Sequence, residues 1–132
     1  MSPVRMSEVE SAMRAVLASN QAFNRHDLAG MMLLVSGDCV FEGFMPAPDG
    51  AVYTGKDAIA SYYEGLFNEF PDVQIKTEDV FGFGKRCVMR WKLAWGGEHL
   101  RGVDIVRVED DLICERLSYA KSFPPQGGAL TR

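Results

Sequence analysis

Two hydrophobic periods divide the chain: up to about residue 70 apolar side chains recur every three or four positions, and beyond it they alternate. Ser7 and Glu10 form a capping-box pair, and Val9, Met13, Val16, Leu17, Asn20 and Phe23 follow at helical spacing, which predicts an amphipathic helix ending near Arg25. Asp27 is placed to cap a shorter helix that carries Leu28, Met31, Met32 and Val35 and stops at Gly37-Asp38. Cys39 to Phe44 reads as a strand, and the prolines and glycines between Met45 and Gly55 predict a loop with a short strand near Val52. Thr54 and Asp57 open a third helix, with Ile59, Tyr62, Tyr63, Leu66, Phe67 and Phe70 as its apolar stripe and Pro71 preventing its continuation.

The alternating half predicts four strands, Val73 to Phe83, Arg86 to Trp95, Glu98 to Glu109 and Leu112 to Lys121, joined by turns at Gly84-Lys85, Gly96-Gly97 and Asp110-Asp111. Short turns between consecutive strands make an antiparallel meander. With three helices grouped in the front half, the pattern is α+β rather than alternating α/β. A chain of 132 residues with 47% hydrophobic content can bury one full core, so a single domain over residues 7–122 is expected, with 1–6 and 123–132 as flexible termini.

Strand register supplies the first chemical signal. A two-residue turn at Gly96-Gly97 puts Trp95 opposite Glu98 and Met89 opposite Asp104, so Asp104 shares a face with Cys87, Met89, Trp91, Leu93 and Trp95. A turn at Asp110-Asp111 likewise puts Leu117 opposite Asp104 and Tyr119 diagonally beside it, although a curved sheet needs bulges and a one-residue slip would send Asp104 to the other face. A carboxylate among apolar side chains loses hydration, which raises its pKa above the reference of about 3.9 and makes it a better proton shuttle near neutrality. Such an acid either does chemistry or accepts a hydrogen bond from a buried neighbour, and both readings stay open for Asp104. Asn20, on the apolar stripe of the first helix, either orients a substrate carbonyl or satisfies buried polar groups. Tyr62, Tyr63, Phe67, Met89, Trp91, Leu117 and Tyr119 are candidates for a pocket wall, and aromatic residues at these spacings also build ordinary cores.

Composition narrows the partners. A formal charge of -4, with 14 basic residues scattered singly along the chain, provides no electropositive stripe for nucleic acid. No apolar run approaches the roughly 20 residues that cross a bilayer, and the first residues lack a secretory signal, so no membrane association and a cytoplasmic location are expected. Cys39, Cys87 and Cys114 fit a reducing compartment as small buried hydrophobes. His26 and His99 have no zinc-motif spacing, Gly82-Phe83-Gly84 sits at a strand-to-strand turn rather than before a helix, and no Gly-x-Ser-x-Gly elbow exists, so no metal and no nucleotide cofactor are expected.

The segments FNRHDLAG from Phe23, SGDCVFEG from Ser36, GKDAIASYYEGLFNEFPDVQIKTEDV from Gly55 and RGVDIVRVEDDLICERLSY from Arg101 together resemble the SnoaL-like family of the nuclear transport factor 2-like (NTF2-like) superfamily. The resemblance covers almost the whole chain, and its most specific piece is Gly102-Val103-Asp104, Arg107-Val108, a turn, then Leu112-Ile113 and Glu115. It implies a curved sheet, also called cystatin-like, packed against the helices around a conical cavity, in homodimers that pair through the outer sheet face. Catalytic members generally need no cofactor, and in the polyketide cyclases an aspartate matching Asp104 acts as acid and base in an aldol closure. In ketosteroid isomerase, a relative, the acid matching Asp104 serves an oxyanion hole, while the essential base falls at Gly43 and the tyrosine near Ser19. Limonene epoxide hydrolase, another relative, uses an Asp, Arg, Asp set, for which Arg101 points away from Asp104 and Glu115 would have to swing inward.

Two functions follow as expectations. One is a cofactor-free cyclase, isomerase or lyase in which Asp104 moves a proton next to a carbonyl in a hydrophobic small molecule, with an epoxide hydrolase-like reaction as a further alternative. The other is a non-catalytic ligand-binding or assembly domain built on the same cavity.

Overall fold

The computed structural model describes residues 3–121, with side chains from residue 7 onward; the expected flexible C-terminal tail lies outside the described residues. The elements run α1 (Pro3–Asn24), α2 (Leu28–Met32), β1 (Val35–Glu42), β2 (Val52–Thr54), α3 (Lys56–Glu69), β3 (Gln74–Phe83), β4 (Arg86–Trp95), β5 (Glu98–Glu109) and β6 (Leu112–Ala120). The fold is α+β, with one six-stranded sheet in the order β2-β1-β6-β5-β4-β3. All neighbours are antiparallel except β1 and β6, which run parallel.

The meander follows the alternation closely, because each turn has the backbone its residues favour. Gly96 and Gly97 both hold positive φ, 51° and 82°, as a two-residue hairpin with the sheet's twist requires. Asp110 and Asp111 take the same left-handed region at 53° and 63°, and the Ser11 hydroxyl donates to the Asp111 carboxylate, tying α1 to that turn.

The helical half departs from expectation at several points. α1 starts at Pro3, a residue suited to a first turn, so Ser7 and Glu10 lie inside the helix and form no capping box. Asp27 does cap α2, its carboxylate accepting from the Gly30 amide at 3.0 Å. That helix ends at Met32, however, and Val35 belongs to β1, because the Leu34 carbonyl already accepts from the Ile113 amide and starts the pairing with β6. Thr54 closes β2 opposite Val40, and Gly55, at φ 89°, turns the chain into α3 without a side-chain cap.

α1 lies across the concave face of the sheet and buries Ala12, Ala15, Val16, Ala22 and Phe23, with Ser19 and Asn20 on the same side. Leu17, expected on this stripe, is 38% exposed, since the buried face follows the small residues that let the helix approach the strands. On the convex face, register aligns Lys76, Lys92 and Arg101 across three strands, so bases scattered along the chain gather in space; Arg101 pairs with Glu78 at 3.1 Å. None of the described helices is long and apolar enough to cross a membrane.

Trp91 and Gly102 are cross-strand partners, and a Cβ at Gly102 would collide with the Trp91 indole and the Tyr119 carbonyl. Gly102→Ala is therefore expected to cost about 2 to 3 kcal/mol by overpacking, read as a lower urea midpoint with an unchanged slope. An unaltered midpoint would mean that the indole does not depend on this gap.

Candidate active site

The absence of a side chain at Gly102 leaves room for the Trp91 ring beside β5, where its Nε1 donates to Asp104 Oδ1 at 2.8 Å. Met89 stands opposite Asp104, as the Gly96-Gly97 register requires. From the other side come two residues that sequence reasoning missed. Arg116 Nε donates to Asp104 Oδ2 at 2.8 Å, and the Ser118 hydroxyl donates to Oδ1. Asp104 and Arg116 are 4% and 7% exposed, so this is an ion pair taken out of water.

Arg116 and Ser118 face inward because of a bulge. Arg107 pairs with Glu115 while Val108 pairs with Ile113, which leaves Cys114 as an extra residue on β6. The slip corrects the expected register: Ser118, not Leu117, stands opposite Asp104, and Leu117 pairs with Ile105 on the convex face. Tyr119 goes with it and is 51% exposed, so neither Leu117 nor Tyr119 belongs to the pocket wall.

Asn20 carries the network back to α1. Its Oδ1 accepts from Arg116 Nη2 at 3.4 Å, while its Nδ2 donates to Thr77 Oγ1 at 2.9 Å and to Met89 Sδ at 2.7 Å. Ser19 accepts from Arg116 Nη1 at 3.4 Å. Asn20 is thus a satisfied buried polar group that borders the cavity, and Met89 is fully buried behind it. Phe67 is not in the wall either: its ring stacks on His26 at 4.3 Å, closing the end of the helical layer.

The concave face holds an inner cavity of about 50 Å³ that opens to solvent, and its wall includes Asn20, Tyr62, Tyr63, Trp91, Asp104 and Arg116. An adjoining outer cavity of about 240 Å³ is walled by Met45, Phe70, Trp95 and Leu100, and Phe44, Tyr62, Leu66 and Leu93 border both. Apolar side chains dominate the two, and the polar groups converge at the Asp104–Arg116 pair, the usual composition of a small-molecule site.

The premise of a desolvated acid without a cation is not met, because the Arg116 guanidinium sits directly on the Asp104 carboxylate. Burial works to lower the Arg116 pKa, but the carboxylate outweighs it and holds the guanidinium above its ordinary value. Burial pushes the Tyr63 phenol up to about 12, against the pull of Arg116, and raises Tyr62 further. It also raises the Cys39 and Cys87 thiols to about 11, which keeps both protonated and unreactive near neutrality. Ser19, near which the isomerase tyrosine would fall, borders the cavity as a partner of Arg116. Glu115 does not swing inward; it lies on the convex side, 3.3 Å from Arg86 and 3.9 Å from Arg107.

A curved sheet closed by helices around a mostly apolar cavity defines a small-molecule-binding α+β domain of the NTF2-like kind. Residues 16–116 match the SnoaL-like domain, and the chain belongs to that family. An NTF2-like protein of unknown function from Mesorhizobium loti shares 31% identity over 86% of this chain and 93% of its own, with a TM-score of 0.77. A candidate ketosteroid isomerase from Kribbella flavida is 19% identical over 92% of this chain and 86% of its own, with a TM-score of 0.75. IdmH from Streptomyces antibioticus, described as a candidate polyketide cyclase, is 18% identical over 83% and 91%, with a TM-score of 0.71. The last two likenesses are of fold. No curated protein matches the chain.

Removing one member of a buried ion pair strands the other, at a cost of about 3 to 5 kcal/mol, whereas replacing both with apolar groups is often neutral. Arg116→Met alone is expected to lose that much stability, and Asp104→Leu with Arg116→Met to regain most of it, in a double-mutant cycle by urea denaturation. Additive losses would mean the two charges are not coupled.

Proposed function

We propose that the cavity binds a hydrophobic small molecule carrying a carbonyl group, and that Asp104 moves a proton beside that carbonyl without a cofactor, as in a cyclase, isomerase or lyase. The observation that carries this reading is the charged pair in the wall of a mostly apolar cavity. A carboxylate offers about four acceptor positions. Trp91 and Ser118 donate to Oδ1 and Arg116 to Oδ2, which leaves Oδ2 able to accept one more proton or hydrogen bond. Arg116 would favour the negative charge that develops on a carbonyl oxygen as its α-proton leaves, and its rigid partners hold it in place beforehand.

The same three donors support a second reading, in which the pocket binds without chemistry. An Asp104 whose oxygens are committed to Trp91, Ser118 and Arg116 would serve as a fixed polar anchor for a ligand. An epoxide hydrolase-like reaction has less support: the Asp104–Arg116 pair lacks a second acid among the residues of the inner wall.

Asp104→Asn separates the two main readings. Against a panel of aromatic polyketide-like and steroid-like ketones, binding is followed by quenching of Trp91 and Trp95, which border the inner and outer cavities. The catalytic reading expects the variant to bind within a few-fold of the parent and to lose about 10²- to 10⁴-fold in turnover. Equal turnover by the Asn variant sinks it, and tight binding by the parent with no conversion of any ketone moves the assignment to the binding domain.

We further propose a homodimer joined through the convex sheet face in a cytoplasmic setting. Phe81 and Tyr119 are 54% and 51% exposed there, beside outward Val103, Ile105 and Leu117, and apolar area of this kind marks a contact surface. Phe81→Lys with Tyr119→Lys is expected to give monomers in sedimentation equilibrium, where the parent gives dimers at micromolar concentration. A parent that is monomeric at that concentration removes the proposal.

A further inference from the structure

Six aromatic residues pack together beneath α3: Phe23, Phe41, Tyr53, Tyr62, Tyr63 and Phe67, at centroid separations of 4.9 to 6.3 Å. Ring packing alone does not distinguish tyrosine from phenylalanine, and a buried phenol costs free energy unless its hydroxyl is paired. Tyr63 is 8% exposed, yet its hydroxyl has no hydrogen-bond partner among the described residues. Every fully enclosed side-chain polar atom among those residues does have one. The Tyr63 hydroxyl must therefore keep some open surface, and the two openings that Tyr63 borders are the inner cavity and a smaller one beside it, both also walled by Arg116.

Resting on the pocket-binding reading above, we infer that the Tyr63 hydroxyl is a second polar anchor of the cavity, so the ligand is an aromatic or alicyclic molecule with two oxygen functions. One oxygen meets the Asp104–Arg116 pair and the other accepts a hydrogen bond from Tyr63. The phenol keeps the proton it donates in this role at neutral pH, since burial, opposed by Arg116, raises its pKa to about 12. A ligand lacking the second oxygen leaves a buried hydroxyl unpaired, and discrimination against it follows from that loss. Tyr63 is then a specificity-determining residue, since Phe would fill the aromatic cluster equally well.

Tyr63→Phe tests this with a matched pair of probes, 6-acetyl-2-naphthol and 2-acetylnaphthalene, titrated calorimetrically into parent and variant. The parent is expected to prefer the naphthol by about tenfold, the scale of one hydrogen bond. The variant is expected to lose that preference, chiefly by binding the acetylnaphthalene more tightly because no hydroxyl is left unpaired, and to melt no lower than the parent. A preference that survives in the variant, or a clear fall in its melting temperature, overturns the inference. A crystal structure of the ligand-free parent provides an independent decision: an ordered water on Tyr63 Oη supports it, and a protein acceptor there overturns it. If neither probe binds the parent, the carbonyl reading of the preceding section falls, and the occupant of Oη alone settles the second anchor.

Discussion

The Asp104–Arg116 ion pair is the constraint around which the rest of the molecule is arranged. Desolvating two charges is expensive, and the attraction between them offsets that cost only when their remaining donors and acceptors are met. Here they are met from four directions: Trp91 on β4, Ser118 on β6, and Ser19 and Asn20 on α1. One pair thus fixes the rotation of α1 about its axis, the register of β5 on both its neighbours, and the orientation of an indole. Thr77 and Met89 extend the network by holding the Asn20 amide. A hydrophobic cluster of equal volume could stabilise the fold as well, but it would leave the cavity wall chemically blank.

Around that pair the cavity is graded. Charge and hydrogen bonding are concentrated where β5, β6 and α1 meet, phenol hydroxyls lie under α3, and the outer cavity is walled largely by Phe44, Phe70, Val73, Trp95 and Leu100. Apolar walls exclude water from the pair and raise the strength of any polar contact made there. The same walls limit what can enter to molecules whose bulk is hydrophobic, so recognition divides into body and functional groups.

Much of this was legible in the sequence where local rules act alone. Strict alternation and turn chemistry located β4 and β5 to the residue, and the Gly96-Gly97 hairpin put Asp104 on the concave face opposite Met89. Legibility failed where long-range packing overrides a local preference. The alternation on β6 does not mark Cys114 as an extra residue, so it predicts Leu117 and Tyr119 inward and places Arg116 and Ser118 outward. A usable signal did exist, since the unslipped register would have set Glu115 beside apolar neighbours inside and turned Leu117 inward while leaving Arg116 outside an acid that lacked a cation. Leu17 was misplaced for a similar reason: the helix face that fits the strands is set by Ala12, Ala15 and Ser19 rather than by the largest hydrophobe. Val35 was drawn into a helix by its spacing, although the parallel pairing with β6, which no local pattern encodes, claims it for the sheet.

The bulge at Cys114 has an evolutionary side. A side chain's position inside or outside the cone is decided on β6 by whether Cys114 is bulged out or paired, so the lining of the cavity is written partly in strand register and not only in residue type. If β6 paired without the bulge while keeping every residue, Leu117 and Tyr119 would turn inward and the basic and hydroxylic lining would be lost without any substitution. Relatives that differ in whether β6 carries this bulge could share most of their residues and still present unrelated chemistry to their ligands.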